Sequence, residues 1–80
     1  MKIQILFFGI ANELVGTEEV FFLTPENCSV TKLKEIIVTQ YPQLTNLNSY
    51  FIAVNEVYAT GETILKENDE VAILPPVSGG

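Results

Sequence analysis

The sequence predicts one α+β domain, in which a mixed sheet of four to five strands carries one main helix on one face. Apolar, β-rich segments of strand length lie near both ends of the chain, over residues 2–8 and 70–74. Only residues 30–37 combine helical spacing of apolar side chains with a good N-cap, Ser29. With 80 residues the chain is long enough for a single packed core and no more.

The first part of the chain is predicted to form an antiparallel strand pair. Residues 2–8 begin with alternating polar and apolar side chains and become wholly apolar, and Gly9 ends the strand. Residues 18–23 form the second strand. Between the two lies only a short helical turn over residues 11–15, with Gly16 as its C-cap. This connection is too short for a parallel crossover, so the strands pair antiparallel.

The second part of the chain is predicted to supply the helix and three more strands. The helix ends at Tyr41-Pro42, because the residue before a proline is pushed out of the helical region. Asn55-Glu56 is typical of a tight turn between two strands. The three strands cover residues 50–54, 57–59 and 70–74. We expect Ile64 and Leu65 to pack beneath the connection to the last strand.

A strand pair, one helix and further strands is the order of a β-grasp, or ubiquitin-like, fold. In this fold the first and last strands lie parallel at the centre of the sheet. The apolar runs 5–8 and 71–74 predict burial of both strands on both faces. A ferredoxin-like fold needs a second full helix, which the sequence does not supply. We therefore expect residues 1–74 to form the domain and residues 75–80 a flexible extended tail.

Charge and composition exclude several classes of function. The formal net charge of −6 argues against nucleic acid or an anionic membrane and favours a partner with a basic docking surface, although it also serves solubility. Without histidine and with Cys28 as its single cysteine, the chain lacks the commonest general base and any zinc or iron–sulfur ligand set. No apolar stretch is long enough to cross a bilayer and no leader is visible, so we expect a cytoplasmic protein. Because the ligand sets are missing, we also expect no bound cofactor or metal.

The tail is the segment in which we expect the chemistry. Pro75 and Pro76 cannot continue a strand ladder and favour an extended conformation. Six extended residues reach roughly 20 Å, enough to enter the active site of a neighbouring protein. Gly79 and Gly80 have no side chains, so a narrow tunnel admits them and the terminal carbonyl carbon is unobstructed. A frayed terminus or a linker remnant is the plainer interpretation of such an ending.

Five segments spread over the chain carry a family resemblance. They are Leu6-Phe7-Phe8, Glu13-Leu14-Val15-Gly16, Ala53-Val54-Asn55, Asp69-Glu70-Val71-Ala72 and Pro75-Pro76-Val77-Ser78-Gly79-Gly80. In these segments the chain resembles the family of small, sulfur-carrying subunits of molybdopterin synthase. The thiamine-pathway carrier is similar in fold and also ends in Gly-Gly, but it usually lacks the Pro-Pro-Val-Ser segment before it.

The resemblance implies a reaction cycle in which this chain is not itself the enzyme. A ubiquitin-activating-like enzyme uses ATP to adenylate the Gly80 carboxylate, and a sulfur donor protein converts it to a thiocarboxylate. The tail then enters the large catalytic subunit, expected in a heterotetramer of two small and two large subunits. There the sulfur is transferred to cyclic pyranopterin monophosphate, which builds the dithiolene of the molybdenum cofactor.

Several residues are predicted to dock the partner. Because neighbouring strand residues face opposite ways, one of Phe7 and Phe8 can face the core and the other an exposed apolar patch. We favour Phe8 for the patch; the plainer interpretation is that Phe8 and Leu74 both belong to the core. Leu74 joins Phe8 in this patch, although the family often has an aromatic pair where this chain has Ile73-Leu74. The family often has a basic residue at the position of Asn12, so a contact there is open. The tail segment Pro75, Pro76, Val77 and Ser78 completes the predicted docking set.

The function, the role of Cys28 and the role of one acidic cluster stay open at this point. The chain could serve thiamine, tungsten-cofactor or tRNA thiolation, or it could be a ubiquitin-like modifier or interaction module. Cys28 precedes the helix, where a thiol can be reactive, but an incidental small residue is the plainer interpretation. The acidic cluster of Glu67, Asp69 and Glu70 is either a docking surface for basic residues or a solvated turn.

Overall fold

The computed structural model describes residues 1–44 and 46–76. The elements are β1 (Lys2–Phe7), α1 (Ile10–Val15), β2 (Glu19–Leu23), α2 (Val30–Gln40), β3 (Phe51–Val54), β4 (Val57–Tyr58) and β5 (Glu70–Leu74), with a 3₁₀ turn at Leu47–Ser49. The predicted strands are confirmed to within one residue at each end. Within the described ranges, no helix is long and apolar enough to cross a membrane.

The five strands form one mixed sheet in the order β2-β1-β5-β3-β4. β1 and β5 are parallel neighbours, with Ile5 beside Val71 and Phe7 beside Ile73. The other pairings are antiparallel, including the predicted pair of β1 with β2. First and last strands side by side at the centre, with one main helix on the sheet, confirm the predicted β-grasp fold.

The core lies between the sheet and α2. Every second residue of the central strands points towards the helix, because strand side chains alternate between faces. β1 contributes Ile3, Ile5 and Phe7, β5 contributes Val71 and Ile73, and α2 contributes Val30, Leu33 and Ile37. All of these side chains are at most 2% exposed. Their burial, at about 1.5–3 kcal/mol for each large side chain, is the main force that holds the helix on the sheet.

The ends of both helices are closed as the sequence predicts. The Ser29 hydroxyl accepts a hydrogen bond from the Lys32 backbone N–H at 3.1 Å, so Ser29 is the N-cap of α2. Gly16 ends α1 in the left-handed conformation, at φ 86°, and its N–H donates to the Asn12 carbonyl. Tyr41 ends α2 immediately before Pro42.

The prediction that the central strands are buried on both faces is wrong. Leu6 on β1 and Ala72 and Leu74 on β5 are half-buried, and Phe8 is 44% exposed. A single helix covers only one face of a five-stranded sheet, and the described residues supply no second layer. We call this uncovered surface the open face.

The packing expected of Ile64 is also wrong, whereas that of Leu65 is confirmed. Leu65 is 2% exposed and Ile64 is 51% exposed. Ile64 forms an isolated antiparallel bridge with Ser29, so the backbone there is extended. In extended backbone neighbouring side chains point opposite ways, so only one of the two can enter the core.

Asn55 and Asp69 join the β3–β4 turn to the start of β5. Asn55 lies in the left-handed region, at φ 51°, as the predicted turn requires. Its amide nitrogen donates to Asp69 Oδ1 at 2.9 Å, and its amide oxygen accepts from the Glu70 N–H at 3.0 Å. Asp69 is 8% exposed, and its other oxygen accepts from the Lys66 N–H at 2.7 Å. This Asn55–Asp69 clamp sets how β5 begins beside β3.

Gly9 and Pro75 meet where the chain leaves β5. The Phe8 N–H donates to the Ile73 carbonyl at 3.2 Å. Gly9 follows at φ 56° and ψ −130°, a combination that favours glycine. A Cβ at Gly9 would lie 2.8 Å from Pro75 Cγ. The absence of a side chain at Gly9 therefore lets the first proline of the tail pack against the end of β1.

The clamp predicts a stability difference between two asparagines in the same backbone region. Asn55→Gly keeps the left-handed conformation but removes the two side-chain hydrogen bonds to Asp69 and Glu70. We expect the free energy of unfolding to fall by about 1–3 kcal/mol. Asn27→Gly is the control, because Asn27 has φ 58° and no side-chain hydrogen bond among the described residues. Urea denaturation measures both, and equal midpoints for the two variants would show that the clamp contributes nothing.

The contact of Gly9 with Pro75 predicts an energetic coupling between them. Gly9→Ala should lower the free energy of unfolding by about 1–3 kcal/mol, from backbone strain and the close contact with the proline ring. Gly16→Ala controls for positive φ, because a Cβ there would meet nothing within 4 Å. Pro75→Ala removes Cγ, so Gly9→Ala should cost less in that background. An identical cost in both backgrounds, measured by thermal unfolding, would rule out the coupling.

Candidate functional site

The candidate site is the end of the open face from which the tail departs. The predicted division of Phe7 and Phe8 is confirmed, since Phe7 is 2% exposed and Phe8 is 44% exposed. Leu74, the last residue of β5, is half-buried on the same face. Pro75 is half-buried and Pro76 is exposed. The two predicted apolar docking residues therefore lie beside the first residues of the predicted tail.

Sheet register brings two further aromatic residues to this site. Phe51 on β3 lies opposite Leu74, and Tyr58 on β4 lies opposite Ala53. The rings of Phe51 and Tyr58 meet edge to face, with centroids 5.9 Å apart. Their exposed fractions are 50% and 74%. We call Phe8, Phe51, Tyr58 and Leu74 the tail-side patch.

Phe51 and Tyr58 were missed in the sequence. Alternation along residues 50–54 shows that Phe51 and Ile52 face opposite ways, but not which of them faces the helix. The pairing of β3 with β5 decides this, because Ile52 lies beside buried Ile73 and Phe51 beside Leu74. Four large apolar side chains on one exposed surface form a patch of the kind that marks interfaces.

Within the tail-side patch the sheet surface is concave. A shallow depression of about 310 Å³ lies over Leu6, Ala53 and Ala72. Phe8, Tyr58 and Leu74 stand around it, and Glu56 and Glu70 close it at the end away from the tail. The depression is open to solvent. Its shape suits a side chain presented by a partner rather than an enclosed small-molecule substrate.

The last four residues of the predicted site lie outside the described residues. These are Val77, Ser78, Gly79 and Gly80. Their roles in docking and in carrying sulfur stay predictions. The structure does describe where the chain leaves β5. This strand runs parallel to β1, so Pro75 lies at the apolar end of the open face.

The acidic cluster does not act as a unit. Glu67 accepts a hydrogen bond from the Lys2 backbone N–H, and Asp69 is part of the Asn55–Asp69 clamp. Among the described residues, only Glu70 of the three has a side chain that accepts no hydrogen bond. The alternative of a solvated turn is wrong for Asp69, which is buried and structural.

Cys28 belongs to the core. It is 3% exposed, and burial raises the pKa of its thiol above the ordinary value, which outweighs the opposing effect of the Lys32 charge. A buried thiol with a raised pKa is a poor nucleophile at neutral pH. The plainer interpretation of Cys28 is therefore confirmed. Asn12 is half-buried beside Phe8 and Gly9, and its contact with a partner stays a prediction.

Curated relatives match the chain over its whole length. The molybdopterin synthase sulfur carrier subunit of Arabidopsis thaliana is 35% identical over 81 residues, which cover 100% of this chain and 84% of the relative. The subunit of the same name from Dictyostelium discoideum is 38% identical over 87 residues, covering 99% of this chain and 96% of the relative.

Solved structures also match this chain over nearly its whole length. A complex of subunits 1 and 2 of the molybdopterin-converting factor from Helicobacter pylori contains a chain that matches with a TM-score of 0.71 and 28% identity, over 100% of both chains. Small archaeal modifier protein 1 from Methanosarcina acetivorans matches with a TM-score of 0.83 and 26% identity, over 99% of this chain and 96% of that chain.

A family model described as the ThiS family matches residues 5–80. This match includes the central strands, the helix and the predicted tail. The curated relatives at 35% and 38% identity extend over the same residues. The chain therefore belongs to the ThiS family, and the curated relatives named here are sulfur carrier subunits of molybdopterin synthase.

Proposed function

We propose that this chain is the sulfur carrier subunit of molybdopterin synthase and works through the carboxylate of Gly80. One observation supports this most directly. The strand that leads into Pro75-Pro76 ends beside an exposed apolar patch, so one partner can bind the patch and receive the tail. The family match through residue 80 and the names of the full-length relatives support the same proposal.

The proposed chemistry begins with an unreactive group. A terminal carboxylate has a pKa of roughly 3.5 and is ionised at neutral pH, which makes its carbon a poor electrophile. A ubiquitin-activating-like enzyme joins the Gly80 carboxylate to AMP from ATP and releases pyrophosphate. A sulfur donor protein then supplies sulfur at the oxidation level of sulfide, which attacks the acyl carbon and displaces AMP. The product is a thiocarboxylate, a nucleophile at the end of an unobstructed tail.

The catalytic work belongs to partners in this proposal. The described part of the chain offers an open depression rather than an enclosed pocket, and the sequence contains no histidine. The large subunit supplies the pocket for cyclic pyranopterin monophosphate and the proton transfers, in a heterotetramer of two small and two large subunits. The small subunit supplies sulfur, binds no cofactor, nucleic acid or membrane, and works in the cytoplasm.

The tail-side patch is proposed as the docking surface for the large subunit. Phe8 and Leu74, with Phe51 and Tyr58, bury apolar area when the partner binds. The segment Pro75 to Ser78 spans the distance into the partner's active site and places Gly79 and Gly80 there. Related carriers for thiamine, the tungsten cofactor or tRNA thiolation would use the same tail, and copurification with the large subunit distinguishes this chain from them.

A second function is favoured by one observation. The solved structure of Methanosarcina acetivorans that resembles this chain is named a small archaeal modifier protein. A modifier would join Gly80 to a lysine side chain through an isopeptide bond. Peptide mapping of denatured extracts detects such a bond, and its presence would favour the modifier function for this chain.

The sulfur-carrier proposal predicts a mass change that depends on the last residue. After incubation with ATP, the activating enzyme and a sulfur donor, the intact mass should rise by the difference between one sulfur and one oxygen. A variant without Gly80 should keep its original mass, because its terminal carboxylate is one residue short of the position that we expect to react. Mass spectrometry measures both, and an unchanged full-length mass with active enzyme would refute the proposal.

The docking proposal predicts different effects for two exposed phenylalanines of the open face. Phe8→Ala should weaken binding of the large subunit about 10- to 100-fold, because Phe8 belongs to the tail-side patch. Phe21→Ala is the control, because Phe21 is 55% exposed on the edge strand β2 and does not belong to the tail-side patch. Isothermal titration calorimetry measures both affinities. Equal losses for the two variants would show that the patch does not define the interface.

A further inference from the structure

The depression in the tail-side patch has two alanines as its floor. Ala53 and Ala72 lie directly opposite each other on β3 and β5, and Leu6 lies beside Ala72 on β1. The neighbouring pair on the same face, Phe51 and Leu74, is much larger. The depression has a volume of about 310 Å³, roughly ten times the 30 Å³ that a water molecule occupies in the liquid. A large apolar side chain of a partner therefore fits between the rims.

One end of this depression is acidic. Glu56 and Glu70 both line it, and among the residues that the structure describes no lysine or arginine does. Their backbones are held together, because the Asn55 N–H donates to the Glu70 carbonyl at 2.8 Å and the Glu70 N–H donates to Asn55 Oδ1 at 3.0 Å. The two carboxylates therefore project from a rigid part of the sheet.

Neither carboxylate has a polar partner among the described residues. Gln4 lies beside Glu70 in the register of β1 with β5, but its side-chain amide donates to Glu19 at 2.7 Å. Lys2, the basic residue of β1, lies over the Phe21 ring, 4.7 Å from its centroid. The basic and amide groups of the open face are thus engaged towards β2. The acidic end stays available in a chain whose net charge is −6.

The apolar and acidic ends are ordered along β5. Leu74 ends the strand beside the tail, and Glu70 begins it, four residues away. At 3.3 Å per residue this separation is about 13 Å. A partner that receives the tail at one end of the open face therefore meets Glu56 and Glu70 at the other end.

We propose that the depression receives a pair of side chains from the protein that accepts the tail. A large apolar side chain lies on Ala53 and Ala72, and an arginine or lysine of the same partner binds Glu56 and Glu70. This inference rests on the proposed function, because it identifies that partner as the large subunit. The charge pair orients the partner and speeds association, whereas the apolar side chain contributes most of the affinity.

The test separates the two parts of the pair. Ala72→Leu fills the depression without changing charge, and the double variant E56Q/E70Q removes the negative charges with little change in shape. Glu62→Gln is the matched control, because Glu62 is exposed and does not line the depression. Thermal unfolding confirms that each variant is folded. Each is then titrated with purified large subunit of molybdopterin synthase from the same organism, at 50 mM and 300 mM salt.

We expect Ala72→Leu to weaken binding at least tenfold at both salt concentrations. E56Q/E70Q should weaken binding about 3- to 30-fold at low salt and show a smaller salt dependence than the unmodified chain, and Glu62→Gln should change neither. Binding of both test variants like the unmodified chain would overturn this inference and leave the proposed function standing.

Two other outcomes would also overturn the inference. If the unmodified chain neither binds the large subunit nor gains the mass of a thiocarboxylate, the proposed function fails and the inference fails with it. If the isolated chain is a dimer by size-exclusion chromatography and Ala72→Leu makes it a monomer, a second copy occupies the depression instead of the large subunit.

Discussion

Covering one face of the sheet with a single helix is the constraint on which the rest of this structure depends. α2 has 11 residues and buries the side chains that alternate towards it from β1, β5 and β3. The other set of alternating side chains has no layer above it. Both sets are largely apolar, so the burial that stabilises the domain leaves an apolar surface on its opposite side. The buried face of the strands therefore stabilises the domain, and the open face of the same strands is the surface that we propose for docking.

The position of β5 connects this constraint to the tail. β5 lies at the centre of the sheet, between β1 and β3, and its last residue, Leu74, is part of the open face. The chain leaves β5 beside that face, where Pro75 follows Leu74. Gly9 admits Pro75 at the end of β1, which keeps the first tail residue close to Phe8. An exposed apolar patch and the first residues after β5 are thus neighbours because a central strand, parallel to β1, comes last among the strands.

Asp69 and Glu70 differ in the same way, since one is buried and the other lines the open face. Asp69 is buried and bonded on both carboxylate oxygens, so it holds the turn regions together. Glu70, the next residue, begins β5 and lines the open depression. These adjacent acidic residues therefore have different surroundings, because Asp69 precedes β5 and is buried, whereas Glu70 is the first residue of the strand and lines the depression.

Much of this protein follows from local sequence. The strand segments, the Ser29 cap, the Gly16 C-cap and the Asn55 turn are set by spacing and backbone preference, and the structure confirms each of them. Alternation also places Phe7 and Phe8 on opposite faces, and the structure shows that Phe8 is the exposed one. The ending of two prolines and two glycines predicts a reactive tail, since these residues favour an extended and unobstructed chain.

Only the tertiary structure decides what depends on pairing between distant segments. Sequence alone does not reveal that Phe51 and Tyr58 join Phe8 and Leu74, because this depends on the register of β3 and β4 with β5. Sequence alone also leads to the wrong prediction that both faces of the central strands are buried, since an apolar run does not show how many layers cover a strand. The depression over Ala53 and Ala72 exists because two small residues from distant segments are paired. The physical reason is that local sequence determines backbone conformation and alternation, whereas the covering of a sheet face depends on contacts across the whole chain.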